Sequence, residues 1–260
     1  MYKRTWNKKY GKSQIFTKDD SFCQNVEIDM VRLAEGEIKS YNESDKEFGV
    51  LILSGKCTVE GDGFKYENIG ERETVFDGNA TCVYVPRNTD FKITGCSDVK
   101  IAVTKCPSTK DHKPVLIKPE DVVAKEMGKP GWERHAMFVL DERVEADQIY
   151  IGECWIEGGQ WSSYPPHKHD DMNMPTEAAT EEIYYYEFDK PQGFGVGFNG
   201  DDCYKVEDQG VLCITPMKTH QQVAAPGYSM CYVWMIRHLE NDPWIKTRID
   251  APEHKWLLDV

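Results

Sequence analysis

Turn-forming residues interrupt this chain at short intervals, and the runs between them are rich in β-branched and aromatic residues. Examples are "FGVLILSG", "TCVYVP", "EIYYYEF" and "CYVWMI". This spacing is typical of β-sandwiches and β-barrels, so an all-β fold is predicted. One segment departs from the pattern: residues 118–128, "KPEDVVAKEMG", predict a short helix with Pro119 in its first turn and Gly128 past its end.

The two halves of the sequence repeat one pattern. The first half contains "KEFGVLILSGKCTVEG" followed by "TCVYVPRNTDFKITG", and the second contains "EEIYYYEFDKPQGFGVG" followed by "VLCITPMKTHQQVAAPG". A repeat of this length indicates a duplicated β-barrel domain. We therefore predict one barrel in residues 1–115 and a second in residues 116–260. The pairs that occupy matching places are Glu47 and Glu182, Pro86 and Pro216, and Gly95 and Gly227.

Composition excludes several classes of function. The net charge is −13 and no basic stripe offsets it, so the chain is not expected to bind nucleic acid. No run approaches the roughly 18 to 20 apolar residues that a membrane helix needs, so no membrane partner is expected. The first residues lack the apolar region of a secretory signal, which predicts a cytoplasmic protein. The nine cysteines contain no CxxC and are predicted to pack as reduced thiols.

Three histidines in the second half have the spacing of metal ligands. His167 and His169 are two residues apart, so on a strand they project from the same face. His220 lies four residues after a proline on a later strand, where closure of a barrel brings it beside the other two. The matching place in the first half holds Asp90, and no HxH precedes its glutamate. Only the second barrel is therefore predicted to bind a metal.

A carboxylate follows the histidine pair at the start of "EEIYYYEF". Glu181 and Glu182 are neighbours and point to opposite faces of a strand, so only one of them can face the ion. Imidazoles with one carboxylate suit a first-row divalent ion such as Zn, Mn, Fe, Co or Ni. They leave coordination positions open, which is typical of a catalytic rather than a structural site.

Several segments carry a resemblance to a known family. "GECWIEGGQWSSYPPHKHD", "EEIYYYEF", "AAPGY" and, in the first half, "VFDGNATCVYVP" resemble the 5-deoxy-glucuronate isomerases of bacterial myo-inositol catabolism. These are related to the 5-dehydro-4-deoxy-glucuronate isomerases of pectin breakdown, and the resemblance covers nearly the whole chain. It implies a bicupin, two double-stranded β-helix barrels, with a divalent metal in the C-terminal cupin. The pectin-pathway relatives place the carboxylate ligand directly before the aromatic run, which implies Glu182.

The resemblance also implies a reaction, the conversion of 5-deoxy-D-glucuronate to 5-dehydro-2-deoxy-D-gluconate by an aldose–ketose isomerase. Tyr184 and Tyr186 share the strand face of Glu182 and are the candidate catalytic residues, as hydrogen-bond donors or as part of the wall of the site. The carboxylate of a small sugar acid needs a cation, for which Arg134 and Lys218 are candidates. The sequence does not fix the oligomeric state, and a homo-oligomer is compatible with it.

The chain departs from the family pattern around His220. Where the family usually has Pro-x-Gly-Tyr-His-Pro, this chain has "PMKTHQ", so Lys218 and Thr219 replace Gly and Tyr. The substrate therefore stays open to a related uronate. Two other functions stay open as well: an Fe(II) cupin dioxygenase, which three histidines and one glutamate also suit, and a non-catalytic sugar-binding cupin.

Overall fold

The structure is a computed structural model that describes residues 2–4, 10–16, 23–169, 173, 177, 179–215, 218–238 and 248–259. The strands in the first half of the described chain are β1 Tyr2–Arg4, β2 Gly11–Phe16, β3 Glu27–Leu33, β4 Ile38–Tyr41, β5 Lys46–Ser54, β6 Cys57–Gly61, β7 Phe64–Ile69, β8 Thr81–Val85, β9 Phe91–Gly95, β10 Val99–Pro107 and β11 Val115–Ile117. Those in the second half are β12 Val123–Met127, β13 Arg134–Leu140, β14 Ile149–Ile156, β15 Trp161–Lys168, β16 Thr180–Phe188, β17 Phe194–Asn199, β18 Asp202–Glu207, β19 Gly210–Cys213, β20 His220–Ala224, β21 Met230–His238 and β22 Ile249–Asp250. Two 3₁₀ helices, Pro119–Asp121 and Pro252–Leu258, complete the described elements. Neither of them is long and apolar enough to cross a membrane.

Four sheets show the predicted duplication. The six-stranded sheet has the order β11-β8-β5-β10-β3-β2, and the seven-stranded sheet repeats it as β1-β19-β16-β21-β14-β13, with β12 added at the edge. The four-stranded sheet has the order β4-β9-β6-β7, and the five-stranded sheet repeats it as β15-β20-β17-β18, with β22 added beside β15. The all-β fold of two related barrels is therefore confirmed.

The segment between the barrels differs from the prediction. The helix predicted for residues 118–128 is wrong: only Pro119–Asp121 is helical, and β12 follows as an exposed edge strand. Pairing with β13 provides hydrogen-bond partners for the backbone groups on one edge of β12. This pairing outweighs the low stability of a short isolated helix. The division at 115/116 stays a prediction. Sheet membership changes close to it, although β11 spans this point and β1 pairs with β19 of the second half.

The strand register corrects the repeat alignment by one residue. Glu47 pairs with Cys106 in the first half, and the matching pair in the second half is Glu181 with Arg237. The Glu47 carboxylate accepts hydrogen bonds from the backbone N–H groups of residues 147, 148 and 149. The Glu181 carboxylate accepts them in the same way from residues 24, 25 and 26. Glu47 therefore corresponds to Glu181, not Glu182, and Pro216 lies outside the described residues.

Three apolar clusters place the core in layers. One lies between the two sheets of the first half, a second between the two sheets of the second half, and a third between the six- and seven-stranded sheets that join the halves. Seven of the nine cysteines are buried, and none of the nine, all of which lie among the described residues, is in a disulfide, so the buried ones pack as small apolar side chains. The interior of the second barrel is thus walled by the seven-stranded sheet on one side and the five-stranded sheet on the other.

Candidate metal centre and active site

Two neighbouring strands of the five-stranded sheet carry the histidines. His167 in β15 lies opposite His220 at the start of β20, and His169 follows two residues later. The β15/β20 register shifts between Ser162 and His167, an irregularity that re-aims the end of β15. The ring centroids of His167 and His220 are 4.5 Å apart, and those of His169 and His220 are 4.9 Å apart. One ring nitrogen of each lies within 4.8 Å of those of the other two.

The carboxylate comes from the facing sheet. Glu182 lies on β16, and its Oε2 is 2.7 Å from Nε2 of His169 and 3.3 Å from Nε2 of His220. Glu181 points to the opposite face of the same strand, where it binds backbone N–H groups of residues 24 to 26. Of the two neighbouring glutamates, Glu182 is thus the one that the structure brings to the histidines.

Two of the histidines are oriented by their Nδ1 atoms. Nδ1 of His167 lies 3.2 Å from the carbonyl oxygens of both Ser163 and Pro165. Since a carbonyl only accepts, Nδ1 of His167 carries the proton and its Nε2 keeps a free lone pair. Nδ1 of His169 contacts the Thr180 hydroxyl, whose own O–H donates to the His169 carbonyl oxygen. Such contacts behind a metal-binding imidazole fix its tautomer and ring orientation.

Burial and neighbouring charge set the protonation of the cluster. Burial lowers the pKa of His167 well below its ordinary value, and the rings of His220 and His169 and the charge of Arg248 act in the same direction. Burial also lowers the pKa of His220, against the opposing effect of the Glu182 carboxylate. Burial acts to raise the pKa of Glu182, but His169 and His220 outweigh it and hold the pKa well below its usual range. Neutral imidazoles beside an ionised carboxylate are the protonation state in which a cation binds.

The unpaired polar atoms of the cluster fit a metal. Both ring nitrogens of His220 are buried; Nδ1 has no hydrogen-bond partner among the residues that the structure describes, and Nε2 faces the Glu182 carboxylate oxygen 3.3 Å away. Buried polar atoms are nearly always paired with protein groups, water or an ion. Three imidazoles and one carboxylate form the donor set of a first-row divalent ion, with coordination positions left for oxygen ligands. His167, His169, His220 and Glu182 could therefore hold such an ion.

A cavity of about 360 Å³ opens next to this cluster. Its volume lies within the roughly 300 to 1,000 Å³ of small-molecule sites. Tyr184 and Arg134, both candidates from the sequence, are among its lining residues, and Nη1 of Arg134 is buried without a hydrogen-bond partner among the described residues. The described residues that line it are Met127, Arg134, Ala136, Phe138, Tyr150, Cys154, Ser163, His167, His169, Thr180, Glu182, Tyr184, Tyr232, Trp234, Ile236, His238 and Arg248.

Two of the predicted site residues do not reach this cavity. Tyr186 faces the interior of the barrel as predicted. It lies two residues after Tyr184 on β16, where it is fully buried and its hydroxyl donates to Gln222. Lys218 is 42% exposed, and its Nζ lies 3.1 Å from Asp202 on the outside of the barrel. Lys218 is close in sequence to His220 but lies in the connection before β20 rather than on the strand. The geometry gives neither side chain a contact with the cavity.

Sequence reasoning missed Arg248. This residue precedes β22, the two-residue strand that pairs with His167 and Lys168 at the edge of the five-stranded sheet. Its Nη1 lies 3.4 Å from Nδ1 of His167, and its side chain lines the cavity. An isolated arginine near the end of a chain carries no local motif, and only the pairing of β22 brings it to the site.

Two related barrels, one of which holds a histidine and glutamate cluster beside a cavity, define a bicupin with a candidate metal centre in its C-terminal barrel. Within that class the chain belongs to the KduI/IolB family, which it matches over residues 2–257. A 5-deoxy-glucuronate isomerase of Bacillus subtilis (strain 168) is 32% identical over 252 residues, covering 94% of this chain and 91% of that protein. A 5-deoxy-glucuronate isomerase of Halalkalibacterium halodurans is 30% identical over 251 residues, covering 94% and 92%.

Solved structures agree with this placement. The crystal structure of an IolB-like protein from Salmonella typhimurium LT2 superposes with a TM-score of 0.92 at 25% identity, covering 99% of this chain and 98% of that one. An oxalate decarboxylase from Lactobacillus farciminis gives a TM-score of 0.68 at 10% identity, covering 100% of this chain and 90% of that one. The second likeness is one of fold alone.

Proposed function

We propose that this protein is a metal-dependent aldose–ketose isomerase that converts 5-deoxy-D-glucuronate to 5-dehydro-2-deoxy-D-gluconate in myo-inositol catabolism. The observation that carries the proposal is the cluster of His167, His169, His220 and Glu182 beside a cavity, in a chain whose relatives are named for this isomerisation. When bound there, a divalent ion supplies Lewis acidity, which stabilises negative charge that develops on a sugar oxygen.

Tyr184 is the proposed hydrogen-bond donor to the substrate. Its ring lies 5.9 Å from that of His220, and its hydroxyl lies 3.4 Å from Oγ of Ser163. Burial raises the pKa of Tyr184 well above its ordinary value, and the charge of Glu182 adds to the effect. The phenol therefore keeps its proton and can donate it toward a substrate oxygen. Tyr186 acts through packing, since its ring centroid lies 6.2 Å from that of Tyr184.

Arg134 is the proposed partner of the substrate carboxylate. It stands at the start of β13, lines the cavity and keeps a buried Nη1 donor without a partner among the described residues. A guanidinium can bind a carboxylate through two parallel hydrogen bonds. The aromatic side chains of Phe138, Tyr232 and Trp234 form the apolar part of the wall and restrict water around the reacting carbons.

The test is to purify the protein, measure its bound metals, and follow 5-deoxy-D-glucuronate by NMR in D₂O without oxygen. We expect the ketose product from wild-type protein, and loss of both bound metal and turnover in His167→Ala and Glu182→Ala. Deuterium at C1 of the product indicates proton transfer through solvent, whereas its absence indicates a hydride shift.

The matched control is His135→Ala, because His135 lies outside the cavity and its Nδ1 contacts Glu126 at the surface. It should retain metal and activity. Metal-loaded wild-type protein that turns over no 5-deoxy-D-glucuronate contradicts the proposed reaction. Activity that appears only with oxygen favours the dioxygenase alternative, and bound metal without turnover of any uronate favours a sugar-binding protein.

A further inference from the structure

Arg248 is a cation that the sequence did not single out. Its Nη1 lies 3.4 Å from Nδ1 of His167, and its side chain lines the cavity that Arg134 also lines. We propose that Arg248, together with Arg134, binds the carboxylate of the sugar acid and selects sugar acids over neutral sugars. This inference rests on the proposed function, because it assigns the second recognition element of the same site.

The hydrogen-bonding geometry leaves Arg248 with a donor for a ligand. Nδ1 of His167 faces the carbonyl oxygens of Ser163 and Pro165, so it carries a proton and cannot accept from Arg248. Nη2 of Arg248 lies 3.2 Å from the Asp250 carboxylate, which anchors the guanidinium from the other side. The ion pair with Asp250 therefore positions a guanidinium that lines the cavity, and a positioned guanidinium loses little entropy when a carboxylate binds.

The charges around the cavity favour an anion. Among the described lining residues, Glu182 is the one acidic side chain, and it belongs to the metal cluster. Arg134 and Arg248 are two cations in the same lining, within a protein whose net charge is −13. Two guanidinium groups in one cavity lining place positive charge there, which a bound carboxylate offsets.

The chemistry of these groups suits both functional groups of a sugar acid. The histidine cluster offers a site for oxygens at the carbonyl end, and the two arginines that line the cavity offer donors for the carboxylate. Nη1 of Arg134 is buried and has no hydrogen-bond partner in the part of the chain that the structure describes. A buried guanidinium N–H without a partner is costly, so an oxyanion ligand completes this part of the site.

The test compares two polyols that differ only at the acid end. L-Gulonate carries a carboxylate where D-glucitol carries a hydroxymethyl group, and neither can isomerise. Isothermal titration of metal-loaded protein should show tighter binding of L-gulonate than of D-glucitol. In Arg248→Ala we expect L-gulonate to bind about 10- to 100-fold more weakly, the range for losing a charge-assisted pair, while D-glucitol binding is unchanged. Arg248→Lys keeps the charge without the planar donor pair and should fall between the two.

Lys218→Ala is the matched control, because Lys218 belongs to the same barrel but pairs with Asp202 outside the cavity. It should bind both polyols like the wild type. Equal binding of the two polyols by wild-type protein, or L-gulonate binding that both Arg248 variants retain in full, overturns the proposal. So does an equal loss of both polyols in Arg248→Lys, which indicates a damaged cavity rather than a lost carboxylate contact.

Turnover separates this inference from the proposed function. If the isomerase proposal holds, Arg248→Ala should raise KM for 5-deoxy-D-glucuronate by more than it lowers kcat. A lower kcat with unchanged KM and unchanged L-gulonate binding places Arg248 at the reacting oxygens and overturns the carboxylate assignment. Arg248-dependent L-gulonate binding without any turnover contradicts the isomerase and leaves the carboxylate site standing.

Discussion

The same place in the two barrels holds opposite chemistry. In the first barrel, Tyr41 pairs with Phe91 across the β4/β9 edge, and Phe48 faces them from β5. The three ring centroids lie 5.0 to 5.5 Å apart, so the rings fill the barrel interior. In the second barrel, the same three positions are His167, His220 and Glu182, beside which a cavity opens.

This difference shows that the shared fold does not by itself create the site. Strand order is shared between the barrels, so it does not account for the histidine and glutamate cluster. Three side chains at matched positions decide whether the barrel interior is a packed aromatic core or a set of ligands. Glu47 and Glu181 occupy matched positions, and each carboxylate accepts hydrogen bonds from backbone N–H groups of the opposite half. These two contacts, which we call the Glu47 and Glu181 clamps, join the halves and do not bind a ligand, so they are the same in both barrels.

The most direct way to break the comparison is to give the second barrel the aromatic residue of the first. In His220→Phe we expect loss of stoichiometric metal and a fall in isomerase activity of more than about 100-fold, the scale for removing one stabilising group. Metal content by mass spectrometry and kcat/KM measure these effects.

The control for that substitution is His135→Phe, which changes a histidine outside the cavity that stacks on Trp155. It should keep both metal and activity. If His220→Phe retains stoichiometric metal, the matched position does not explain why the two barrels differ.

The structure agrees with the sequence where a local pattern defines the feature. The two-residue spacing of His167 and His169 fixes a common face on a strand, and alternation along β16 leaves one of two neighbouring glutamates for the site. The strand runs and the repeat gave the all-β fold, because turn residues and β-branched runs act locally. The ligand set itself stays a prediction, although the structure brings its four members together.

The failures share one physical cause, which is that contacts between distant strands do not follow from sequence spacing. The repeated sequence pattern pairs Glu47 with Glu182, whereas the strand register pairs Glu47 with Glu181, and a shift of one residue moves a side chain to the other face of the sheet. The register pairs Phe91 with Tyr41 and His220 with His167, so His220 corresponds to Phe91 and not to Asp90. Arg248 reaches the site through the pairing of β22 with β15, and no sequence motif predicts this pairing.

A second prediction concerns the aromatic side of the comparison. Phe48 is fully buried among Tyr41 and Phe91, so Phe48→Ala should lower the free energy of unfolding by about 3 to 5 kcal/mol. Urea unfolding measures this loss, and Ile38→Ala, at a side chain that is 57% exposed, should cost less than about 0.5 kcal/mol. Metal content of the folded variant should equal that of wild type. Loss of metal at unchanged stability would mean that the first barrel takes part in the metal centre.

A third prediction tests the equivalence of the two clamps. Glu47→Gln and Glu181→Gln each replace one acceptor oxygen by an NH₂ group, which leaves backbone N–H groups unpaired and should cost about 1 to 3 kcal/mol at pH 7. Glu47→Gln should cost more, because Glu47 is fully buried and also accepts from the Tyr84 hydroxyl. Urea unfolding of both variants decides the order. A larger loss for Glu181→Gln would show that burial does not set the strength of the clamp.

The smallest expected effect is the pH dependence of the Glu47 clamp. Burial raises the pKa of Glu47, although the surrounding N–H and hydroxyl donors oppose it. The folded state therefore keeps a proton that the unfolded state has released, and this contribution to stability falls as pH rises from about 4.5 through the raised pKa. Glu47→Gln cannot ionise, so the stability advantage of wild type over this variant should be largest near pH 4 and smaller at pH 7. The surface variant Glu120→Gln corrects for general effects of pH, and an advantage that grows between pH 4 and 7 would mean that the four donors, rather than burial, control this carboxylate.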